Sequence, residues 1–102
     1  MRKTINRTIN YKVRWLITGT WSGYSSSQSR VCHSEVVSDE KLAKAVSNMG
    51  GIQFTDGTWL SLNVRELGYR EKVAKGQNSY GKLIRECAEK NVNSVEALYS
   101  NV

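Results

Sequence analysis

Apolar and polar residues alternate near the start of the chain, along residues 10–19 with the sequence NYKVRWLITG. The side chains of one set are apolar: Tyr11, Val13, Trp15 and Ile17. The side chains of the other set begin with two cations: Lys12, Arg14, Leu16 and Thr18. Because successive side chains of a strand point to opposite faces, this pattern predicts a strand with one buried face and one basic face.

A second strand is predicted over residues 30–37, RVCHSEVV, as the antiparallel partner of the first. Residues 19–30, GTWSGYSSSQSR, would then connect the two strands. This connection is longer than the usual hairpin loop of about two to five residues. Its length and its aromatic residues, Trp21 and Tyr24, favour a loop that contacts a partner. A mobile connector, or an indole folded over the open end of the sheet, is the alternative.

Three later segments carry helix signals. Residues 39–49 are predicted to form a helix, with Ser38 as its N-cap and Gly50 just after its end. A second helix, ending at Asn91, is predicted from an apolar stripe at helical spacing. That stripe consists of Tyr80, Leu83, Ile84, Cys87 and Ala88. A last short helix follows, with Asn93 as its predicted N-cap.

A β-hairpin is predicted over residues 52–65, because Asp56 and Gly57 form a strong turn signal between two alternating runs. In the second run the apolar residues share one face: Leu60, Leu62 and Val64. The opposite face carries an aromatic ring, two neutral polar groups and a cation: Trp59, Ser61, Asn63 and Arg65. The charged residues 66–76 that follow are predicted to form a loop.

The order of these elements, ββα followed by ββα, predicts an α+β fold. We expect a single antiparallel sheet of about four strands, with two or three helices packed on one face. Residues 1–102 are expected to form a single domain, because a chain of this length builds one modest core. Within it, residues 1–9 are expected to be a flexible basic arm or a first edge strand.

The net charge of +6 is unevenly distributed along the chain. Residues 1–30 contain six basic residues and no Asp or Glu, whereas residues 31–102 contain nine basic and nine acidic residues. Such a concentration of positive charge in one part of the chain creates an electrostatic field that attracts polyanions or an acidic protein surface. Simple solubility is the competing explanation for such a charge on a small protein.

Residue sets that would support catalysis or metal binding are missing from the sequence. His33 and its neighbour Cys32 point to opposite sides of a strand, so they do not form a nucleophile pair, and a structural histidine is expected. Cys32 and Cys87 are expected to be buried, reduced thiols, with a disulfide between them as the alternative. No zinc-ligand spacing, phosphate-binding loop or cofactor motif is present, so we expect a non-enzymatic protein without a cofactor.

Membrane and secretion signals are also missing. No apolar run approaches the roughly 20 residues of a membrane span, and no apolar stretch follows the basic N-terminus as a secretory signal would require. We therefore expect no membrane partner and an intracellular, cytoplasmic location.

The basic and aromatic residues favour binding of nucleic acid, either RNA or single-stranded DNA, through one sheet face and the 19–30 loop. The predicted contact residues are Arg2, Lys3, Arg7, Lys12, Arg14, Trp21, Tyr24, Arg30, Trp59 and Arg65. A protein-binding inhibitor or adaptor is the alternative, such as a phage-encoded anti-defence or host-takeover protein that acts by steric occlusion. A homodimer is a third option, formed if a first strand at the edge of the sheet pairs with its copy.

Overall fold

The computed structural model describes residues 12–25 and 27–100. Its four strands are β1 (Trp15–Ser22), β2 (Ser29–Val37), β3 (Gly51–Gln53) and β4 (Trp59–Glu66). Its three helices are α1 (Glu40–Met49), α2 (Gly81–Lys90) and α3 (Val95–Tyr99). The strands form one antiparallel sheet in the order β2-β1-β4-β3, and the helices pack on one face of it. The predicted α+β fold is confirmed, whereas the expected arm at residues 1–9 lies outside the described residues.

Strand β1 is shifted along the chain relative to the prediction. It begins at Trp15, so Lys12 and Arg14 precede it, and it continues to Ser22 within the segment expected to be a loop. The neighbouring strands set these limits: residues from Trp15 to Ser22 pair with β2 on one side and with β4 on the other. The connection between β1 and β2 is therefore only residues 23–28, and the prediction of a loop over 19–30 is wrong at both ends.

One hydrophobic core lies between the sheet and the helices. Its buried members come from all four strands and all three helices: Ile17, Val37, Val46, Ile52, Leu60, Leu62, Ile84, Cys87 and Leu98. Gly19 of β1 allows this packing, because a Cβ there would lie 3.0 Å from a methyl carbon of Leu60 and 3.1 Å from Cβ of His33. The pairing of β1 with β2 changes register directly after Gly19, which leaves Cys32 as the extra residue of a β-bulge.

The start of α3 and both ends of α1 agree with the predicted positions to within one residue, and α2 ends at the predicted Asn91 but begins at Gly81, three residues after the predicted Asn78. Asp39, rather than Ser38, is the N-cap of α1, and its carboxylate accepts a hydrogen bond from the Leu42 N–H at 3.2 Å. Asn91 ends α2 in the left-handed conformation, as expected for a residue at this position. Ser94, rather than Asn93, is the N-cap of α3, because its hydroxyl accepts a hydrogen bond from the N–H of Ala97.

The predicted hairpin is confirmed as strands β3 and β4. The Asp56 carboxylate accepts hydrogen bonds from both the N–H and the hydroxyl of Thr58, and Gly57 provides the positive φ of the turn, 92°. Strand β1, by contrast, is central rather than an edge, so the expected pairing of a first edge strand with its copy is wrong for β1. Both of its sides already carry a hydrogen-bonded strand.

Candidate nucleic-acid interface

The sheet face opposite the helices, called the open face below, carries no carboxylate in its four described strands. The register places on it the β4 residues Trp59, Ser61, Asn63 and Arg65. On β1 it carries Leu16, Thr18, Thr20 and Ser22, and on β2 chiefly Ser34, Val36 and Val31. Hydroxyl and amide groups therefore dominate this face, and its single charge is a cation.

The strand carboxylates lie on the other face. Glu35 pairs with Ile17, and Glu66 pairs with Trp15, so both glutamates share the face of the core. In β4, strand alternation separates a carboxylate from a cation, because Arg65 is the immediate neighbour of Glu66 and points the opposite way.

A group of cations gathers where the Arg65 end of the open face meets the loop after β4. The concavity there has a volume of about 420 Å³ and is called the basic cleft. Its lining residues are Lys12, Arg14, Tyr69, Arg70, Glu71 and Lys72. Lys12, Arg14 and Arg65 of the sequence-predicted contact set are thus brought together at one end of the molecule.

Glu71 holds this cleft together through both its side chain and its backbone. One carboxylate oxygen lies 3.0 Å from Nη2 of Arg65, and the other accepts the Gly68 N–H at 2.8 Å. Its carbonyl accepts a hydrogen bond from the Arg14 guanidinium at 2.7 Å. The Arg65 guanidinium, followed by the Gly68 N–H, lowers the pKa of the Glu71 carboxyl below its ordinary value of 4.5. Glu71 is therefore ionised at neutral pH, and Arg65 compensates its charge.

A tight turn over residues 68–71 presents the cleft residues Tyr69 and Arg70. It is closed by a hydrogen bond from the Glu71 N–H to the Gly68 carbonyl at 3.0 Å. Arg70, the third residue of the turn, has a φ of +62°, a conformation that glycine or asparagine normally supplies in type II turns. Its guanidinium carbon lies 5.2 Å from the centre of the Tyr69 ring, within cation–π range.

Trp59 lies at the far end of the open face from the basic cleft. Arg65 is six positions further along β4, or about 20 Å away at the usual rise per residue. The half-buried indole packs over Gly51 of β3, where even a Cβ would collide with the ring. The open face thus runs from an aromatic ring at one end to a cation cluster at the other.

The remaining aromatic residues of the predicted contact set lie elsewhere. Trp21 and Arg30 are cross-strand partners on the helix side, with the guanidinium 5.9 Å from the ring centre. Tyr24 is 77% exposed in the β1–β2 connection, and its hydroxyl donates to the Asp56 carbonyl. The expected single patch is therefore two separate groups: the open face with the basic cleft, and a hairpin end formed by these three residues.

His33 belongs to a buried hydrogen-bond network. Its Nε2 lies 3.0 Å from the Glu35 carboxylate, and its Nδ1 accepts the Tyr80 N–H at 3.4 Å. Glu35 in turn binds both terminal nitrogens of Arg85, at 3.1 and 2.8 Å. Both ring nitrogens have partners, so the expectation of a structural histidine is confirmed.

The contact residues Arg2, Lys3 and Arg7 lie outside the described residues. Within residues 12–25 and 27–100, no group of three or more His, Cys, Asp or Glu side chains is arranged to hold a metal ion. In the same part of the chain, no helix has the length and apolar character needed to cross a membrane. Cys32 and Cys87 are free thiols.

Sequence reasoning missed four residues of the basic cleft: Tyr69, Arg70, Glu71 and Lys72. They occur in a segment of mixed charge, ELGYREKVAKG, which has the composition of an ordinary solvated loop. The available signal was the adjacent aromatic and basic pair of Tyr69 and Arg70, a combination that single-stranded nucleic-acid sites use.

Comparison of the chain with protein-family models, with curated proteins and with solved structures finds no match.

Proposed function

We propose that this protein is a non-enzymatic binding protein for single-stranded nucleic acid, RNA or DNA, which it contacts through the open face and the basic cleft. The observation that carries the proposal is a polar sheet face without a carboxylate that ends on a cluster of cations. Phosphates would be attracted to the cleft, and bases would lie along the hydroxyl and amide groups toward Trp59. Such sites combine a positive groove with aromatic stacking, at about 1–3 kcal/mol per stacked base.

The charge balance of the cleft supports a polyanionic ligand. Because Arg65 compensates Glu71, the cations that line the cleft keep their net positive charge: Lys12, Arg14, Arg70 and Lys72. Each phosphate of a single strand that these cations neutralise adds about −0.7 to the slope of the logarithm of affinity against the logarithm of salt concentration.

The experiment measures fluorescence anisotropy of a labelled single-stranded oligonucleotide over a range of salt concentrations. We expect the double variant Lys12→Glu/Lys72→Glu to weaken binding severely and to flatten the salt dependence. The matched control is Lys41→Glu/Lys82→Glu, which makes the same change in net charge on exposed positions of α1 and α2, on the other side of the sheet. Equal losses in the two double variants would refute the proposed site, because only overall charge would then matter.

Trp59 supplies a second arm of the same experiment. Trp59→Leu keeps an apolar group over Gly51 but removes the aromatic face, so affinity should fall by about tenfold or more while the salt slope stays unchanged. Unchanged affinity would show that the Trp59 indole does not contact the nucleic acid.

A protein partner is the second candidate, and the hairpin end is the observation that favours it. Tyr24 of the hairpin end is 77% exposed, the largest exposed fraction among the large apolar side chains that the structure describes. Tyrosine, tryptophan and arginine dominate binding hot spots between proteins. In this case a partner recovered from a nuclease-treated lysate would be lost from Tyr24→Ser and retained by Lys12→Glu/Lys72→Glu.

A further inference from the structure

The basic cleft contains a cation at a turn position whose positive φ normally favours glycine or asparagine. Among the described residues outside glycine, only Arg70 and Asn91 have a positive φ. Asn91 ends a helix, where asparagine is a common choice. Arg70 instead occupies a turn position at which glycine would be free of strain. Any residue with a Cβ lowers the free energy of unfolding when it adopts this conformation. A strained residue that lines a cleft points to a role in binding.

The hydrogen bonds around Glu71 hold this turn in place before any ligand arrives. The carboxylate binds Gly68 within the turn and Arg65 on β4, and the backbone carbonyl binds Arg14 just before β1. The turn is therefore fixed to two neighbouring strands of the sheet. A binding group that is fixed in advance loses less freedom when the ligand binds.

Three cations of the cleft have no carboxylate partner among the described residues. Lys12, Arg70 and Lys72 form no ion pair there, since Glu71 is engaged by Arg65. The cleft is open to solvent, and its volume of about 420 Å³ leaves room for an anion together with the group that carries it.

We infer that the basic cleft is a phosphate-binding site for one nucleotide unit, and that Arg70 is its specific ligand. The planar guanidinium donates two parallel hydrogen bonds to phosphate oxygens, while Lys12 and Lys72 act as point charges. This inference rests on the proposed function, because it takes the phosphate to be that of a bound nucleic acid. A free nucleoside monophosphate presents the same phosphate chemistry.

The experiment compares two probes, adenosine monophosphate and a single-stranded oligonucleotide, on the full chain. Affinities are measured by NMR chemical-shift titration for the nucleotide and by anisotropy for the oligonucleotide. Arg70→Gly removes the guanidinium and suits the turn, so we expect both affinities to fall by about tenfold or more while the melting temperature rises. Arg70→Lys keeps the positive charge but cannot donate two parallel hydrogen bonds from one planar group. Its affinities should therefore fall between those of Arg70→Gly and the wild type. Lys41→Ala is the control for loss of one exposed positive charge.

The outcomes separate this inference from the proposed function. If the oligonucleotide binds and Arg70→Gly changes neither affinity, the phosphate site is overturned and the proposed function stands. If the nucleotide alone binds and its affinity depends on Arg70, the phosphate site stands and the proposed function fails. If neither probe binds, both are overturned. Full restoration by Arg70→Lys would overturn the assignment of a forked hydrogen bond.

Discussion

Replacing Glu35 by Ala tests the buried network that joins β2 to α2. The Glu35 side chain is 13% exposed and lies between the His33 ring, which is fully buried, and the Arg85 guanidinium, which is 46% exposed. Because Nδ1 of His33 accepts the Tyr80 N–H, the ring proton is on Nε2 and is donated to Glu35. The substitution therefore leaves a buried N–H donor without its acceptor.

The two partners of Glu35 contribute unequally to the expected loss. An unsatisfied buried donor costs about 1–3 kcal/mol. The Arg85 guanidinium regains water when its partner is removed, so loss of that pair adds at most about 1 kcal/mol. We expect Glu35→Ala to lower the free energy of unfolding by about 2–3 kcal/mol. In a domain of this size, this corresponds to a fall in melting temperature of roughly 10 °C or more.

The assay is urea denaturation followed by circular dichroism, with two comparison variants. Glu40→Ala removes an exposed carboxylate that pairs with Lys44 one helical turn away, so it should cost less than about 0.5 kcal/mol. Glu35→Gln keeps an oxygen acceptor for His33 and should fall between the two. A loss in Glu35→Ala no larger than that in Glu40→Ala would refute the assignment of a buried, hydrogen-bonded donor.

The pH dependence of stability checks the charge on Glu35 independently. Hydrogen bonds from Arg85, with a smaller contribution from His33, hold the pKa of the Glu35 carboxyl below its ordinary value of 4.5. A lowered native pKa means that ionised Glu35 stabilises the fold fully above about pH 4.5 and that this contribution is lost as the pH falls through the native pKa. The stability difference between the wild type and Glu35→Gln should therefore shrink in acid, and a constant difference would contradict the argument.

Two further substitutions test the packing of the sheet. Gly51→Ala should lower the free energy of unfolding by about 2 kcal/mol and expose the Trp59 indole, because the new Cβ would occupy the position of the ring. Urea denaturation followed by tryptophan fluorescence measures both effects. In Cys32→Ser, the remaining thiol of Cys87 should react slowly with a disulfide reagent under native conditions, because burial raises its pKa; a rate equal to that of the urea-unfolded chain would contradict its burial.

The sequence predicted the faces of β4 correctly but not the limits of β1. The alternation of Leu60 and Leu62 with Trp59 and Arg65 is a local property of an extended chain, so it can be identified without the partner strands. Where a strand begins and ends depends on its neighbours, which is non-local information. Val13 and Arg14 continue the alternation but precede the first residue of β1, so the prediction began the strand too early.

The candidate site was predicted only in part, because the summed charge along the sequence conceals how charges are arranged in space. Residues 31–102 are neutral as a whole, yet Arg65, Arg70 and Lys72 lie beside Lys12 and Arg14. The carboxylate within this group belongs to Glu71 and is compensated by Arg65. Only the folded chain shows which carboxylate neutralises which cation.

The same strand alternation that builds the core also clears carboxylates from the open face. Glu35 and Glu66 occupy core-facing positions in the strands, and Glu35 is retained there because it satisfies His33 and Arg85. A shift of either strand by one residue would bring its glutamate onto the open face and move its apolar residues out of the core. The register that packs the core is therefore also the register that keeps both strand glutamates off the open face. This coupling explains why the described strands carry no carboxylate on that face, although the chain has nine acidic residues.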